Sequence, residues 1–144
     1  MQNYQVLSDL LGLMNVQVTK YQLVGDYQIN LFIQSTAKAA LCPHCQKASE
    51  SIHEHSPKQE IRDLPMWNRR CWLHYRPRRF RCDSCDKTFV ERIAWREPGY
   101  NYTRRYEQHI FERTRKQPIA HVAQEERMSE DIVQGIFNRY AQKK

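Results

Sequence analysis

Apolar and polar positions alternate with two different periods, which divide the chain into a β-rich first part and a helical second part. Residues 3–14 are an exception at the start, because helical spacing of their apolar residues predicts a short helix that ends at Gly12 or soon after. Its apolar positions are Leu7, Leu10, Leu11 and Met14. Residues 15–35 alternate in two arms, VQVTKYQLV and YQINLFI, on either side of Gly25-Asp26. This pattern predicts a half-buried, two-stranded hairpin.

Three shorter strand-like runs follow, over residues 51–55, 60–64 and 70–81. The last run predicts a strand with one apolar and one cationic face, because its side chains alternate. The apolar positions are Cys71, Leu73 and Tyr75, and they alternate with Trp72, His74 and Arg76. Pro77 restricts this strand to a sheet edge or a bulge, since proline cannot donate a hydrogen bond to a neighbouring strand.

The helical part begins after Pro98-Gly99. Apolar spacing there predicts three helices, over residues 103–116, 118–126 and 129–141. The predicted fold class is therefore α+β, with two units. Residues 1–97 are predicted to form a small β domain that includes the N-terminal helix and hairpin, and residues 98–144 are predicted to form a helical domain.

Four of the five cysteines form two C-x-x-C pairs, which predict one zinc ion held by Cys42, Cys45, Cys82 and Cys85. A C-x-x-C turn places two sulfurs on one side of an ion, and a second such turn completes a tetrahedron. The 36 residues between Cys45 and Cys82 exceed the usual ribbon spacing. The predicted strands between the pairs account for that length, so the β domain of residues 1–97 is expected to be zinc-ribbon-like.

Other chemistries for these cysteines are weaker. An iron–sulfur centre also takes four thiolates, and a redox C-x-x-C needs a βαβ setting that the pattern lacks. Cys71 is interpreted as a small core residue. Four histidines could replace a cysteine but are interpreted as surface or strand residues: His44, His53, His55 and His74. With four protein ligands the zinc has no open position, so its predicted role is structural.

Charge changes the functional picture. The net charge is +7 with a pI of about 9.3, and residues 1–41 contribute nothing to it. A basic surface favours polyanionic partners. Residues 69–82 contain six arginines and no acid, interleaved with Trp72, Tyr75 and Phe80. The arginines predicted to contact DNA phosphates are Arg69, Arg70, Arg76, Arg78, Arg79 and Arg81. The alternative is a solvated strand whose arginines pair with Glu54, Glu60, Asp63 and Glu91.

Residues 118–137 fit a helix-turn-helix, in which the second helix enters the major groove. Pro118 suits a first helical position, Met128 the turn and Ser129 the cap of the next helix. The inner apolar positions are Ile119, Val122, Ala123, Ile132, Val133, Ile136 and Phe137. Three features depart from the pattern: Glu126 at an inner position, Arg127 where glycine is usual, and the acidic Glu130-Asp131. The predicted DNA-contacting residues are Ser129, Gln134, Asn138 and Arg139. The alternative is a helical pair that packs or dimerises.

In order, these motifs resemble the front end of bacterial insertion-sequence transposases of the ISL-three family. The matching segments are Cys42-Pro-His-Cys45, Ile61-Arg-Asp-Leu-Pro65, Arg78-Arg-Phe-Arg-Cys82, Cys85, Phe89-Val-Glu-Arg92 and Thr103-Arg-Arg-Tyr106. The second knuckle is more compact than is usual in the family. The resemblance implies that the four cysteines bind zinc, that residues from about 118 to 141 bind DNA, and that the element's terminal inverted repeats are the target. Arg104 and Arg105 join the predicted DNA contacts.

That family continues into a DDE catalytic domain, whereas this sequence stops at Lys144. The expectation is a truncated or transposase-derived DNA-binding protein with no catalysis of its own and no small-molecule substrate. A regulator or transposition inhibitor, and a zinc-ribbon protein–protein adaptor, are the rival functions. A zinc-dependent nuclease is disfavoured by the full metal shell. A homodimer would suit inverted repeats. The sequence shows neither a secretory signal nor a membrane span, so the expected compartment is the bacterial cytoplasm.

Overall fold

The computed structural model describes residues 4–143, in which β-sheets precede helices as predicted. The first helix, α1, spans Gln5–Leu11 and ends at Gly12 in the left-handed region (φ 66°). Asn3, where that helix was predicted to begin, lies outside the described residues, as do the other terminal residues 1, 2 and 144. The strands are β1 (Val16–Val24), β2 (Gln28–Ser35), β3 (Ala40–Leu41), β4 (Ala48–Ser49), β5 (Ser51–His55), β6 (Gln59–Met66), β7 (Arg69–Tyr75), β8 (Arg78–Arg81) and β9 (Thr88–Val90).

The largest sheet has four strands in the order β1-β2-β7-β6. The predicted hairpin is confirmed as β1 and β2, with Gly25 at positive φ in the turn. It is not a separate ribbon, however, because β2 also pairs in parallel with β7. The sheet is therefore mixed, and β2 is buried in its middle. The chain between the two parallel strands contains the first cysteine pair, and the second pair follows β7.

One face of this sheet, the inner face, forms the main hydrophobic core. Alternate residues of β2 and β7 point to it, and α1 and Trp95 cover it. The buried side chains include Leu11, Ile29, Leu31, Ile33, Ile61, Cys71, Leu73 and Tyr75. The prediction that Cys71, Leu73 and Tyr75 share an apolar face is confirmed. The opposite face, predicted to be cationic, carries Arg70 but also the side chains of Trp72 and Asn30 and that of His74, which is buried against the ring of Phe32.

The single strand predicted over residues 70–81 is wrong. Pro77 is buried between two separate strands, β7 and β8, which belong to different sheets. β8 forms a three-stranded sheet with β5 and β9, and its Phe80 stacks on Phe89 of β9. A proline N cannot extend a hydrogen-bonded ladder, so the chain changes sheet at this point.

Three helices form the second part: α2 (Arg104–Thr114), α3 (Ile119–Glu126) and α4 (Glu130–Ala141). The Thr103 hydroxyl accepts a hydrogen bond from the Tyr106 N–H and caps α2, and Ser129 caps α4 through the Ile132 N–H as predicted. Pro118 precedes α3 as its N-cap and is not its first helical residue. The core they share consists of Tyr106, Ile110, Phe111, Val122, Ala123, Val133 and Ile136. Ile132, predicted to be internal, is 38% exposed.

The helical part is joined to the free edge of β6. The Arg62 N–H donates to the Asn101 carbonyl, and the Arg62 carbonyl accepts from the Thr103 N–H, each at 2.9 Å. The buried Asp63 accepts hydrogen bonds from the Thr103 hydroxyl (2.7 Å) and the Arg105 Nε (2.9 Å). The Arg62 guanidinium reaches the Glu126 carbonyl at the end of α3. These contacts continue the hydrogen bonding of the sheet into the helical part.

Candidate metal centre and nucleic-acid interface

The two C-x-x-C segments fold into the same turn. In the first, the Cys42 N–H donates to the Lys47 carbonyl and the Gln46 N–H donates to the Cys42 carbonyl. Cys82, Asp86 and Lys87 make the same pair of bonds in the second turn. Gln46 and Asp86 occupy matching positions with φ of 65° and 61°. Each turn thus points two sulfurs to one side, as the spacing predicted.

The four sulfurs converge on one point. Cys42 Sγ lies 3.7 Å from Cys85 Sγ, and Cys45 Sγ lies 3.5 Å from Cys82 Sγ. All four sulfurs lie within 4.8 Å of one another. Sulfurs about 2.3 Å from a central zinc ion lie roughly 3.8 Å apart at the corners of a tetrahedron. The donor set and its spacing therefore fit one structural zinc ion.

Electrostatics within the cluster differ from one thiol to the next. Backbone N–H groups, first that of Cys85, lower the pKa of the Cys82 thiol to about 7. The Lys87 N–H acts on Cys85 in the same direction, but burial and the other three cysteines outweigh it and raise its pKa to about 11. Four thiols this close do not all ionise together, because the negative charges of the thiolates repel one another. A divalent cation offsets this repulsion and binds all four as thiolates.

Among the described residues, these cysteines form the only group of three or more potential ligand side chains within reach of one ion. The histidines considered as substitutes do not join it. Cys71 is a core residue, as predicted, and burial raises the pKa of its thiol to about 12. A protonated thiol in an apolar core is not a metal ligand.

Two members of the arginine run serve the fold. Arg78 is 11% exposed and makes a bidentate pair with Glu91, which is 4% exposed, with N···O distances of 2.8 and 2.7 Å. Arg78 also donates to the Ser35 hydroxyl and the Ala37 carbonyl. Arg69 donates to the carbonyls of the β1–β2 turn. Since the guanidinium of Arg78 is fully engaged inside the protein, the predicted phosphate contact is withdrawn for it.

The other four arginines of the run are more accessible. Arg79 lies 3.6 Å from Glu54, and the exposed Arg81 pairs with Asp86. Arg76 donates to the Ser56 carbonyl, and Arg70 is half-buried on the face of the large sheet that points away from α1. The run is therefore not one cationic strand. The alternative of local pairing holds for Glu54 and Glu91, whereas Glu60 lies beside His74 and Asp63 pairs with Arg105.

Arginines of the helical part are also engaged. Arg105 pairs with Asp63 and donates to the Leu11 carbonyl, so it ties α2 to β6 and α1. Arg139 pairs with the buried Glu107 at 2.5 Å and lies 3.8 Å from the centre of the Tyr100 ring. Arg104 pairs with Glu97 at the surface. The predicted DNA contacts of Arg105 and Arg139 compete with these structural roles.

The outward face of α4 is polar and largely free of charge after its first turn. Gln134 and Asn138 are exposed one helical turn apart, and the Gln134 Nε2 donates to the Asn138 Oδ1 at 3.0 Å. Ser129, predicted to face DNA, is used as the helix cap. Glu130 and Asp131 lie in the first turn, where a carboxylate is stabilised by the helix dipole.

Two departures from the helix-turn-helix pattern have structural explanations. Glu126 accepts hydrogen bonds from the Tyr106 hydroxyl and Arg113, each at 2.6 Å, and lies 3.6 Å from Arg62. An inner carboxylate is tolerated because three donors surround it. Arg127 adopts the left-handed conformation (φ 56°) that the turn demands. Sequence motifs gave no sign of the roles of Arg62 and Arg113, because their partners lie 64 and 13 positions away.

Comparison with known proteins finds two matching families, each over a separate stretch of the chain. The family described as the zinc-finger of transposase IS204/IS1001/IS1096/IS1165 matches residues 38–85. The helix-turn-helix domain of transposase family ISL3 matches residues 91–141. The transposase for insertion sequence element IS1001 of Bordetella parapertussis is 34% identical over 67 residues, which are 46% of this chain and 16% of that protein. None of the solved structures matches.

Over residues 4–143, no helix is both long enough and apolar enough to cross a membrane.

Proposed function

The chain belongs to the ISL3 family of insertion-sequence transposases, with the zinc-finger and helix-turn-helix regions of that family, and from this we propose that it recognises the terminal inverted repeats of its element by sequence-specific binding to duplex DNA. The matched stretch is about a sixth of the length of the Bordetella transposase. We assign recognition to these residues. Strand transfer is assigned to the catalytic domain that the family resemblance implies.

The observation that supports base readout is the pair of amides on α4. Gln134 and Asn138 are exposed on the second helix of the helix-turn-helix, one turn apart, and no carboxylate lies between them. Glutamine and asparagine side chains bind the N6 and N7 edge of adenine with two hydrogen bonds. Their mutual hydrogen bond in the free protein would be exchanged for bonds to bases. Arg127, exposed in the preceding turn, is placed to contact a phosphate.

The zinc centre supports this function by holding the β-rich part together. When zinc is bound it supplies a fixed tetrahedral link between the two cysteine turns, and Cys42, Cys45, Cys82 and Cys85 hold it.

We place the boundary between the two units at residue 97. Trp95 packs in the core of the large sheet, whereas Tyr102 packs in the helical core.

The test begins with selection of preferred duplexes from a random pool by the zinc-loaded protein. Fluorescence anisotropy then compares the selected duplex with a scrambled duplex at two salt concentrations. We expect the double variant Gln134→Ala/Asn138→Ala to lose about 10- to 100-fold of the preference for the selected duplex. Its binding to the scrambled duplex should change little, because amides contribute little to the attraction for phosphates.

A matched control removes two exposed amides elsewhere, Gln17→Ala on β1 and Gln108→Ala on α2, and should keep the full preference. Cys82→Ser should abolish both zinc binding and specific DNA binding. If the folded, zinc-loaded protein prefers no duplex sequence even at low salt, the proposal is wrong and the adaptor function replaces it.

A further inference from the structure

The face of the four-stranded sheet that points away from α1, here called the outer face, is built in regular rows. Cross-strand partners point to the same side of a sheet. One row places Lys20 of β1, Phe32 of β2 and His74 of β7 next to one another, and the neighbouring row does the same for Asn30 and Trp72. The helical part meets this face only at its β6 side, where the Arg62 guanidinium lies 5.7 Å from the centre of the Trp72 ring and 5.0 Å from that of Tyr106. The outer face is thus a platform beside the helical part.

Aromatic rings occupy the middle of this platform. Phe32 and Trp72 are half-buried on adjacent strands. Phe32 is held in place by His74, whose ring stacks on it with centroids 4.6 Å apart. Rigid, partly exposed rings on a sheet are the surfaces on which proteins stack unpaired bases.

Cations surround the rings. The Nζ atoms of Lys20 and Lys58 lie 5.2 and 5.8 Å from the centre of the Phe32 ring, and Arg70 extends from the same face. In residues 4–143, none of these three cations takes part in a salt bridge, unlike Arg78, Arg79 and Arg81 of the arginine run. Carboxylates adjoin these rows at two places: Glu60 lies 3.8 Å from the imidazole of His74, and Asp63, Glu125 and Glu126 line one cavity together with Arg70. Three of the cations that form no salt bridge within the described residues therefore lie on this face, two of them over the Phe32 ring.

Hydrogen-bonding groups complete the face. The Asn30 Oδ1 accepts from the Gln28 Nε2 at 3.0 Å, and the Asn30 Nδ2 donates to the Gln22 Oε1 over a longer distance of 3.4 Å. Both nitrogens of His74 are buried without a hydrogen-bond partner. Buried polar groups in a finished core are nearly always paired. Exchangeable amides and an unsatisfied imidazole are features of a binding surface.

We propose that the outer face binds single-stranded DNA. Bases stack on Phe32 and Trp72, and phosphates bind Lys20, Lys58 and Arg70. A duplex hides its base faces within its own stack, so rings on a flat sheet recognise unpaired nucleotides instead. This surface is separate from the amides of α4, and it goes beyond the recognition of duplex repeats proposed above.

The test measures anisotropy of the zinc-loaded protein with a labelled single-stranded oligonucleotide of mixed sequence and with the selected duplex. The face variant is Lys20→Gln/Lys58→Gln/Arg70→Gln. The control variant, Lys38→Gln/Arg92→Gln/Lys143→Gln, removes the same three charges from exposed positions elsewhere. We expect the face variant to bind the single strand at least about 10-fold more weakly and to lower its salt slope by about 2, from three lost phosphate contacts. The control should keep the slope.

Ring variants separate stacking from charge. Phe32→Leu and Trp72→Leu keep an apolar side chain and should each weaken single-strand binding by about 5- to 100-fold, with circular dichroism confirming the fold. Equal losses in the face and control triples, or full single-strand affinity in both ring variants, would overturn the proposal. So would a loss confined to the duplex. The proposed function is tested separately by Gln134→Ala/Asn138→Ala, which should lose duplex preference alone. Failure of the single-strand proposal and failure of the proposed function can therefore be distinguished.

Discussion

The zinc module, which consists of β3–β5, β8 and β9, and the helical part solve the same stability problem in different ways. The helical part buries seven side chains in one apolar core, from Tyr106 to Ile136. The corresponding core beside the zinc site consists of Phe80, Phe89 and two of the cysteines themselves. The free energy gained by burying apolar side chains is proportional to the area removed from water, so the core beside the zinc site contributes much less to stability than the helical core. A small module of this kind depends on its metal, whereas the three helices do not.

The two parts also differ in how each stabilises a buried carboxylate. On the β-rich side Glu91 is fully matched, because Arg78, Tyr75 and Ser35 all donate to it. On the helical side Glu107 is 1% exposed and depends on Arg139 and Tyr140 for its hydrogen bonds. Burial works against ionisation of both carboxylates. Hydrogen bonds outweigh it for Glu91 and lower its pKa, whereas burial prevails for Glu107 and raises its pKa.

The largest expected effect is that of zinc removal. Cys82→Ser, or a strong chelator, should remove hydrogen-exchange protection from residues 40–55 and 78–90 by about 100-fold or more, because the metal is the main link between them. Residues 104–141 should keep most of their protection.

A cysteine outside the metal site provides the control. Cys71→Ala lies in the sheet core and should leave one zinc ion per chain, as measured by a chromogenic chelator after denaturation. Equal loss of protection in both parts of the chain would show that the two are one cooperative unit and would break the comparison.

A smaller effect is expected from the buried ion pair. Arg78→Met leaves Glu91 buried without its main partner, which should lower the free energy of unfolding by about 3–5 kcal/mol. Urea unfolding at pH 7 measures this difference.

Arg81→Met is the matched change in the same strand, and its exposed pair with Asp86 should be dispensable within the error of the measurement. Because the pKa of Glu91 is lowered by folding, its contribution is present at neutral pH and is lost as the pH falls through its folded pKa. The difference between Arg78→Met and the parent protein should therefore shrink in acid. A difference that stays constant down to pH 3 would contradict this account.

The smallest effect concerns Glu107. Its pKa is raised by folding, so the folded protein holds a proton there at a pH where the unfolded chain has lost it. Stability from this group is greatest in mild acid and falls as the pH rises through the folded pKa. We expect Glu107→Gln to flatten the pH dependence of the thermal midpoint between about pH 4.5 and 7.

Each midpoint is compared with that of the parent protein at the same pH, so the contributions of other groups cancel. Glu112→Gln, an exposed acid of the same helix, should show the parent slope. An unchanged slope in Glu107→Gln would mean that Arg139 and Tyr140 compensate its burial in full.

Local features of the fold were predictable from the sequence. The C-x-x-C spacing identified the metal ligands, and alternation placed the hairpin to within a residue. Thr103 and Ser129 showed where α2 and α4 begin. The hairpin, the caps and each cysteine turn lie within about ten residues of the signal that predicts them, whereas the meeting of the two turns joins cysteines 37 residues apart.

Long-range pairings were not predictable. The parallel register that places Asn30 beside Trp72 joins strands more than forty residues apart, so the mixed sheet and its outer face were missed. The arginine run shows the same limit. Neighbouring sequence cannot distinguish Arg78, whose partner is Glu91, from Arg70, which remains on an open face. Glu126 appeared to be a flaw in the helix-turn-helix until Tyr106 and Arg113 were found beside it.

The continuous hydrogen bonding from β6 into the helical part has a mechanical consequence. Because Arg62 and Asp63 bind the start of α2 and the end of α3, the helical part is held against the edge of the large sheet. Under the proposed function, a duplex that touches both the helical part and the sheet must itself supply any bending. The stiffness of the base steps between the two contacts would then become part of what is recognised.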